Sequence, residues 1–162
     1  MSDKASALRA KLIRNPAQAT LVHERRDPLY ETRFGRLSEG TAARKLGGGF
    51  DVVPPGKRGC PYHFHHNQEE LFVVLRGRGT LRVDGERLPI EAGDVIFIPP
   101  GREFAHQILN DSDAPLEYLS FSTQEEIEVV EYPDSGKVMA RAPGIRHMTR
   151  AGDAVDYWEG EG

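Results

Sequence analysis

The chain has 162 residues, 38% hydrophobic and 28% charged, which suits one globular domain with one core and argues against a second full domain. Its formal net charge of -4 comes from 25 acidic and 21 basic residues spread along the sequence. With no Lys/Arg face for a phosphate backbone, nucleic acid is not an expected partner. The longest apolar runs, Leu71 to Leu75 and Val95 to Pro100, are strand-sized against the roughly 20 residues that span a bilayer, so no membrane association is expected.

The opening stretch MSDKASALRAKLIRN carries charges and no apolar signal core, so the chain is read as cytoplasmic. Within residues 6–14, Leu8 and Leu12 stand at i, i+4 ahead of Asn15-Pro16, predicting a short helix in an N-terminal arm, residues 1–30. From Leu29 to Thr123 the pattern becomes short apolar or alternating runs broken by Gly, Pro and Asp-Gly. Strands are predicted at Thr32 to Leu37, Ala43 to Val53 (interrupted by Gly47-Gly48-Gly49), Tyr62 to His65, Glu69 to Arg76 and Gly79 to Val83. Four more follow at Glu86 to Ile90, Val95 to Ile98, Phe104 to Leu109 and Leu116 to Ser122. Arg76-Gly77-Arg78-Gly79 and Asp84-Gly85 mark tight connections. Nine short strands without a crossover helix make an all-β antiparallel barrel or sandwich over residues 31–123. Residues 124–162 form an acidic, then turn-rich tail without a clear period. Bulky Tyr157 and Trp158 in its polar context predict docking on the barrel or on a second subunit.

The chemistry concentrates in GKRGCPYHFHHNQEELFVVLRGRG. His63 and His65, two residues apart on an extended strand, point to one face. A turn over 66–69 then folds Glu70 back beside them, and two imidazoles with a carboxylate suit Mn, Fe, Co, Ni or Zn. His66 and Glu69 have the opposite parity and are read as solvated. In the second cluster, EAGDVIFIPPGREFAHQILN, His106 is the fourth candidate ligand. The single cysteine, Cys60, excludes an internal disulfide and is read as a small, partly buried apolar residue.

These two clusters resemble the motifs of the cupin superfamily. His63, His65, Glu70 and Gly77 follow the first motif, Gly-x5-His-x-His-x3or4-Glu-x6-Gly, with its leading Gly displaced by one residue to Gly56. Gly93, Pro99 and Gly101 follow the second, Gly-x5-Pro-x-Gly-x2-His-x3-Asn. Its His position is Phe104 here, and His106 with Asn110 stands two residues later. Because residues two apart on a strand face the same side, the ligand role passes to His106. The resemblance covers about residues 40–122. It implies an antiparallel double-stranded β-helix, or jelly-roll, barrel holding one divalent transition metal (Zn, Mn, Fe or Ni) on His63, His65, Glu70 and His106. Open coordination positions would remain for substrate.

Cupins span many chemistries, so the fold does not assign a reaction. A metal-dependent enzyme on a small polar substrate comes first, with sugar phosphate isomerisation slightly ahead. EYPDSGKV and VDYWEGE resemble stand-alone cupins described as sugar phosphate isomerases. Its phosphate would need cations, and Lys57, Arg58, Arg76, Arg78 and Arg102 are placed near the barrel mouth, although a solvated surface role is expected for each. An iron-dependent dioxygenase would need an aromatic cavity from Phe72, Phe97, Phe104 or Tyr62, with Phe64 pointing outward by parity. The third class is a non-catalytic small-molecule-binding module. A homodimer is expected, formed through the sheets or by exchange of the N-terminal arm.

Overall fold

The computed structural model describes residues 2–162. Helix α1 (Asp3–Leu12) is capped by the Ser2 hydroxyl, which accepts from the Ala5 N–H at 3.2 Å, and Arg9 and Lys11 in its last turn favour the helix dipole. It ends before residue 14 because Ile13 is already extended and Asn15 caps a separate 3-10 turn, Pro16–Gln18. No α1 side chain is buried. Backbone polar groups tie the arm down instead: the Lys11 carbonyl accepts from Ala42 N–H at 2.9 Å, and Arg14 donates to the Glu39 carbonyl at 3.3 Å.

Thirteen strands follow among the described residues. They are β1 (Val22–Arg26), β2 (Tyr30–Arg36), β3 (Leu46–Val53), β4 (Phe64–His65), β5 (Glu70–Arg76), β6 (Arg78–Val83) and β7 (Glu86–Glu91). The rest are β8 (Val95–Ile98), β9 (His106–Leu109), β10 (Leu116–Thr123), β11 (Glu128–Tyr132), β12 (Lys137–Ala142) and β13 (Ile145–Arg150). They form a six-stranded sheet ordered β1-β2-β3-β10-β5-β8, a four-stranded sheet β13-β12-β11-β4 and a three-stranded sheet β7-β6-β9. Every strand pair is antiparallel, giving the all-β jelly roll. No helix among the described residues is long and apolar enough to cross a membrane.

Strand alternation decides what faces inward. On the large sheet, Phe72 and Val74 of β5, Leu116 and Tyr118 of β10, Val53 of β3 and Ile98 of β8 meet Leu81, Ile90 and Ile108 in one buried core. Buried Asn110 closes the loop after β9. Its Nδ2 donates to the Val53 and Ala114 carbonyls at 2.8 Å each, and its Oδ1 accepts from Ser112 N–H at 3.1 Å.

The structure departs from the sequence expectations where burial comes from distant partners. β1 is exposed at every residue and so has no hydrophobic period to read; it forms by pairing with β2. Gly47-Gly48-Gly49 lie inside β3, paired with Ser122, Phe121 and Ser120, and do not interrupt it. The run Phe104 to Leu109 opens as a 3-10 turn, Arg102–Phe104, and becomes a strand only at His106. Phe64 points outward by parity yet is 2% exposed, since β11 pairs with β4 and Arg102 lies 5.8 Å over the ring. Residues 128–150 form three strands that build the second sheet on β4.

Two glycines share a left-handed φ but differ in surroundings. A Cβ on Gly85 (φ +80) meets nothing within 4 Å, whereas one on Gly77 (φ +85) would lie 2.4 Å from the Pro115 carbonyl oxygen. Gly85→Ala is expected to cost about 1 kcal/mol, the strain of the backbone alone. Gly77→Ala should lose about 1 to 3 kcal/mol more, because backbone must shift. Urea midpoints of the two variants measure the difference; equal losses would refute the role given to the Pro115 contact.

Candidate metal centre

The centre is assembled by a backbone bridge between two segments far apart in sequence. His63 N–H donates to the His106 carbonyl at 3.1 Å, and His106 N–H returns the bond to the His63 carbonyl at 2.8 Å. The two residues are therefore a directly opposed pair, and their rings stand 4.7 Å apart. His65, two residues on, lies on the same side, with its ring 5.1 Å from that of His63. Its carbonyl accepts from Gly101 N–H at 2.9 Å, clamping the Pro99-Pro100-Gly101 loop onto β4.

The turn from β4 to β5 is held by a residue absent from the sequence reading. Glu128, 1% exposed, accepts on Oε1 from the N–H groups of His66 (3.0 Å) and Asn67 (3.3 Å), and on Oε2 from Gln68 (2.9 Å). This buried carboxylate thus satisfies three turn amides, and the reversal they fix delivers Glu70 to the imidazoles. Glu128 Oε1 also stands 3.6 Å from His65 Nδ1, too far for a hydrogen bond.

Three imidazoles converge on one carboxylate oxygen. Glu70 Oε2 lies 3.0 Å from His106 Nε2, 3.4 Å from His65 Nε2 and 3.9 Å from His63 Nε2. His63 Nδ1 faces the Pro61 carbonyl at 2.8 Å and His106 Nδ1 the Phe104 carbonyl at 3.1 Å, which turns each Nε2 toward the centre. His63, Glu70 and His106 offer ligand atoms within 4.8 Å of one another. His65 reaches Glu70 without joining that tight triad.

The electrostatics favour a bound cation. Burial pushes the Glu70 carboxyl up, but the surrounding His106, His65 and His63 imidazoles outweigh it and hold the group below its ordinary value. Burial, reinforced by repulsion from His106, pushes His63 down to about 4, so its ring is neutral at physiological pH. Glu70 Oε2, His106 Nε2 and His65 Nδ1 are buried without a well-directed hydrogen bond. Such orphaned atoms cost about 1 to 3 kcal/mol each. Clustered imidazoles and a carboxylate lacking partners are the donor set of a divalent transition metal. Cys60 does not compete: burial pushes its thiol up to about 12, with its Sγ 4.0 Å from His63 Nδ1.

Around the centre, Phe72 stands 5.7 Å from the His106 ring and Tyr132 stacks on His63 at 6.0 Å and 25°. A polar cavity of about 420 Å³ reaches Glu70 between Arg36, Gly47, Gly49, Ser120 and Ser122. The registers explain this lining. Arg36 opposes Gly49, Gly49 opposes Ser120, and Ser122 opposes Glu70, so all share the inner face. Asp51, next on that face, accepts from the Ser120 hydroxyl at 2.9 Å, and burial pushes its carboxyl up to about 6. A larger cleft of about 690 Å³, between the arm and β2, touches none of the four candidate ligands.

His63, Glu70 and His106 thus come together with His65 beside them, while the expected phosphate-binding cations do not. Arg76, Arg78 and Arg102 are exposed and face Glu117, Asp113 and Glu131 at 3.4 to 3.7 Å, and Lys57 turns to the Pro28 carbonyl at 2.8 Å. Arg58 bridges Tyr30 and Leu109 through its backbone. Among the described residues, Arg36 is the cation on the cavity and forms no ion pair. No local motif marks Arg36, Asp51 or Glu128; only the strand registers bring them to the site. His66 is exposed as expected and meets Glu131 at 2.9 Å.

Comparison with known proteins agrees with this architecture. The cupin domain family matches residues 49–122. An uncharacterised protein of Methanocaldococcus jannaschii is 34% identical over 84 residues, 49% of this chain and 65% of that protein. Gentisate 1,2 dioxygenase 1 of Aquipseudomonas alcaligenes is 35% identical over 71 residues, 44% of this chain and 20% of the enzyme. The chain therefore spans less than two thirds of the length of these relatives. Among solved structures, a candidate sugar phosphate isomerase of Acidithiobacillus ferrooxidans superposes with a TM-score of 0.77 at 28% identity, over 86% of this chain and 90% of its own. The jelly roll, the paired His motifs and the family match together place a cupin domain at residues 49–122 of the chain.

Proposed function

We propose that His63, His65, Glu70 and His106 hold one divalent transition metal ion and that the protein is a metal-dependent enzyme on a small polar substrate, of the sugar phosphate isomerase type. The observation that carries this reading is the convergence of three imidazole nitrogens on the partnerless Oε2 of Glu70, beside a polar cavity. Similarity to the Acidithiobacillus protein supports the reaction class. The ion, once bound, would polarise a carbonyl and acidify a neighbouring hydroxyl. In this reading Arg36 takes the phosphate, and the Ser120 and Ser122 hydroxyls and Gln124 amide orient the sugar hydroxyls. Asp51, with a carboxyl at about 6, is poised to move a proton between adjacent carbons near neutral pH. Phe72 and Tyr132 keep water from the inner wall. The working unit in this proposal is a homodimer.

A second reading, an iron-dependent dioxygenase, is favoured by the relative with that activity. The aromatic wall of Phe72 and Tyr132 would then take a flat ring.

Elemental analysis of protein purified without added metal should find close to one ion per chain, lost by about tenfold or more in His63→Ala and Glu70→Ala and retained in His66→Ala. Equal retention in all three would refute the ligand assignment. The metal-free protein should also weaken in acid. Burial holds His63 at about 4 in the folded chain against an ordinary value of 6.5. Its neutral form therefore stabilises the fold above pH 6.5, and that contribution fades as pH falls toward 4. The depressed Glu70 carboxyl acts in the same direction. Urea midpoints taken across that window should fall, and fall less in His63→Gln.

Activity separates the two chemistries. Metal-loaded protein offered aldose 5- and 6-phosphates should isomerise one of them. Asp51→Asn should lower kcat about 100-fold, and Arg36→Ala should chiefly raise KM. Oxygen uptake with a dihydroxylated aromatic acid, and none of this isomerisation, would transfer the assignment to the dioxygenase.

A further inference from the structure

The outer face of the large sheet is apolar behind the stretch whose inner face carries Glu70, Ser120 and Ser122. Through the registers, Phe97 lies beside Leu71 and Leu71 beside Phe121, while Val95 lies beside Val73 and Val73 beside Leu119. Phe97 is 71% exposed. This strip runs into a groove of about 580 Å³ between the end of α1 and the β3–β10 pair, floored by Leu12, Leu37, Leu46, Leu119 and Phe121. Lys11 and Arg14 line the groove, and Arg44 and Lys45 stand between the lining residues Ala43 and Leu46. Among the described residues, none of these four cations has a carboxylate within ion-pair distance.

The chain also carries an unpartnered segment with the complementary character. After β13 it reads AGDAVDYWEGEG, with four acids and no base. Val155, Tyr157 and Trp158 are 71%, 81% and 72% exposed. The segment is shaped before it meets anything: Trp158 N–H donates to Asp156 Oδ1 at 2.9 Å and Glu159 N–H to the Asp156 carbonyl at 3.1 Å. The two rings pack edge to face at 4.8 Å. Two adjacent large aromatics held in solvent are a contact surface awaiting a cover.

We propose that residues 155–161 of one copy dock in the α1–β3–β10 groove of a second copy, with Tyr157 and Trp158 on the apolar floor and Asp156, Glu159 and Glu161 over the basic rim. Charge complementarity selects the occupant. The groove is apolar and edged by four bases, and the segment is aromatic and edged by acids. A twofold arrangement makes the exchange reciprocal and closed, two grooves filled by two segments. Because the outer side of Gly47 and Gly48 borders the groove while Gly47 and Gly49 border the Glu70 cavity, the docked segment would rest on the back of the substrate-facing strand. The inference does not depend on the metal.

Trp158 is the only tryptophan, so its emission reports docking directly. On raising the concentration of the full chain from sub-micromolar to tens of micromolar, the emission should shift to the blue in step with a doubling of mass in sedimentation. Arg44→Glu with Lys45→Glu, both exposed, should weaken dimerisation about tenfold, and Asp156→Lys with Glu159→Lys in the same chain should restore it. Emission that stays red at every concentration would overturn the proposal. So would blue emission from a monomer, which would place the segment on its own chain. So would a dimer unaffected by Tyr157→Ala with Trp158→Ala.

Discussion

The pair of backbone hydrogen bonds exchanged by His63 and His106 is the constraint on which the rest of the centre depends. It joins the segment entering β4 to the start of β9 and so sets two imidazoles side by side from segments far apart in sequence. Backbone bonds of this kind have one geometry and little freedom. The ring positions are consequently determined by the main chain before any side chain chooses a rotamer. Pro61 and Phe104 then finish the task, since their carbonyls face Nδ1 and turn Nε2 toward the centre. Glu70 arrives by a separate device, the turn whose three amides the buried Glu128 satisfies.

The centre is held in electrostatic tension. Burial opposes charge on both Glu70 and His63. The imidazoles resolve this for the carboxyl, which stays ionised, and neutrality resolves it for His63. What remains is a desolvated carboxylate crowded by three imidazoles, and several buried atoms lack partners. A fold that keeps such a cluster bears a standing cost that a bound cation would offset.

The large sheet assigns its two faces to different tasks by the period of two alone. Along β10, Ser120 and Ser122 look into the cavity while Leu119 and Phe121 look outward. Along β5, Glu70 and Phe72 face the centre while Leu71 and Val73 face away. Glycine at positions 47 and 49 leaves room on the inner face, where a Cβ would collide with Gln124 and Ser120 side chains.

Elements whose information is local are legible in the amino-acid order alone. The apolar runs LFVVL and VIFI, the Asp84-Gly85 turn and the strand parity of His63 and His65 all act within a few residues, and each is read without knowing the rest of the chain. His106 was reached through a strand running back to Phe104, but the backbone there is a 3-10 turn. The bridge to His63, and not parity, brings that ring to the centre. The tertiary structure alone decided the residues whose role is set by a distant partner. Arg36 and Asp51 gain theirs from register with β3 and β10. Glu128 gains its own from amides 60 to 62 residues away. Residues 128–150 carry too little local period to announce strands, and they become a sheet because β4 offers an edge to pair with. Local chemistry writes itself into composition and spacing, whereas pairing partners and the burial they create exist only once the chain has closed on itself.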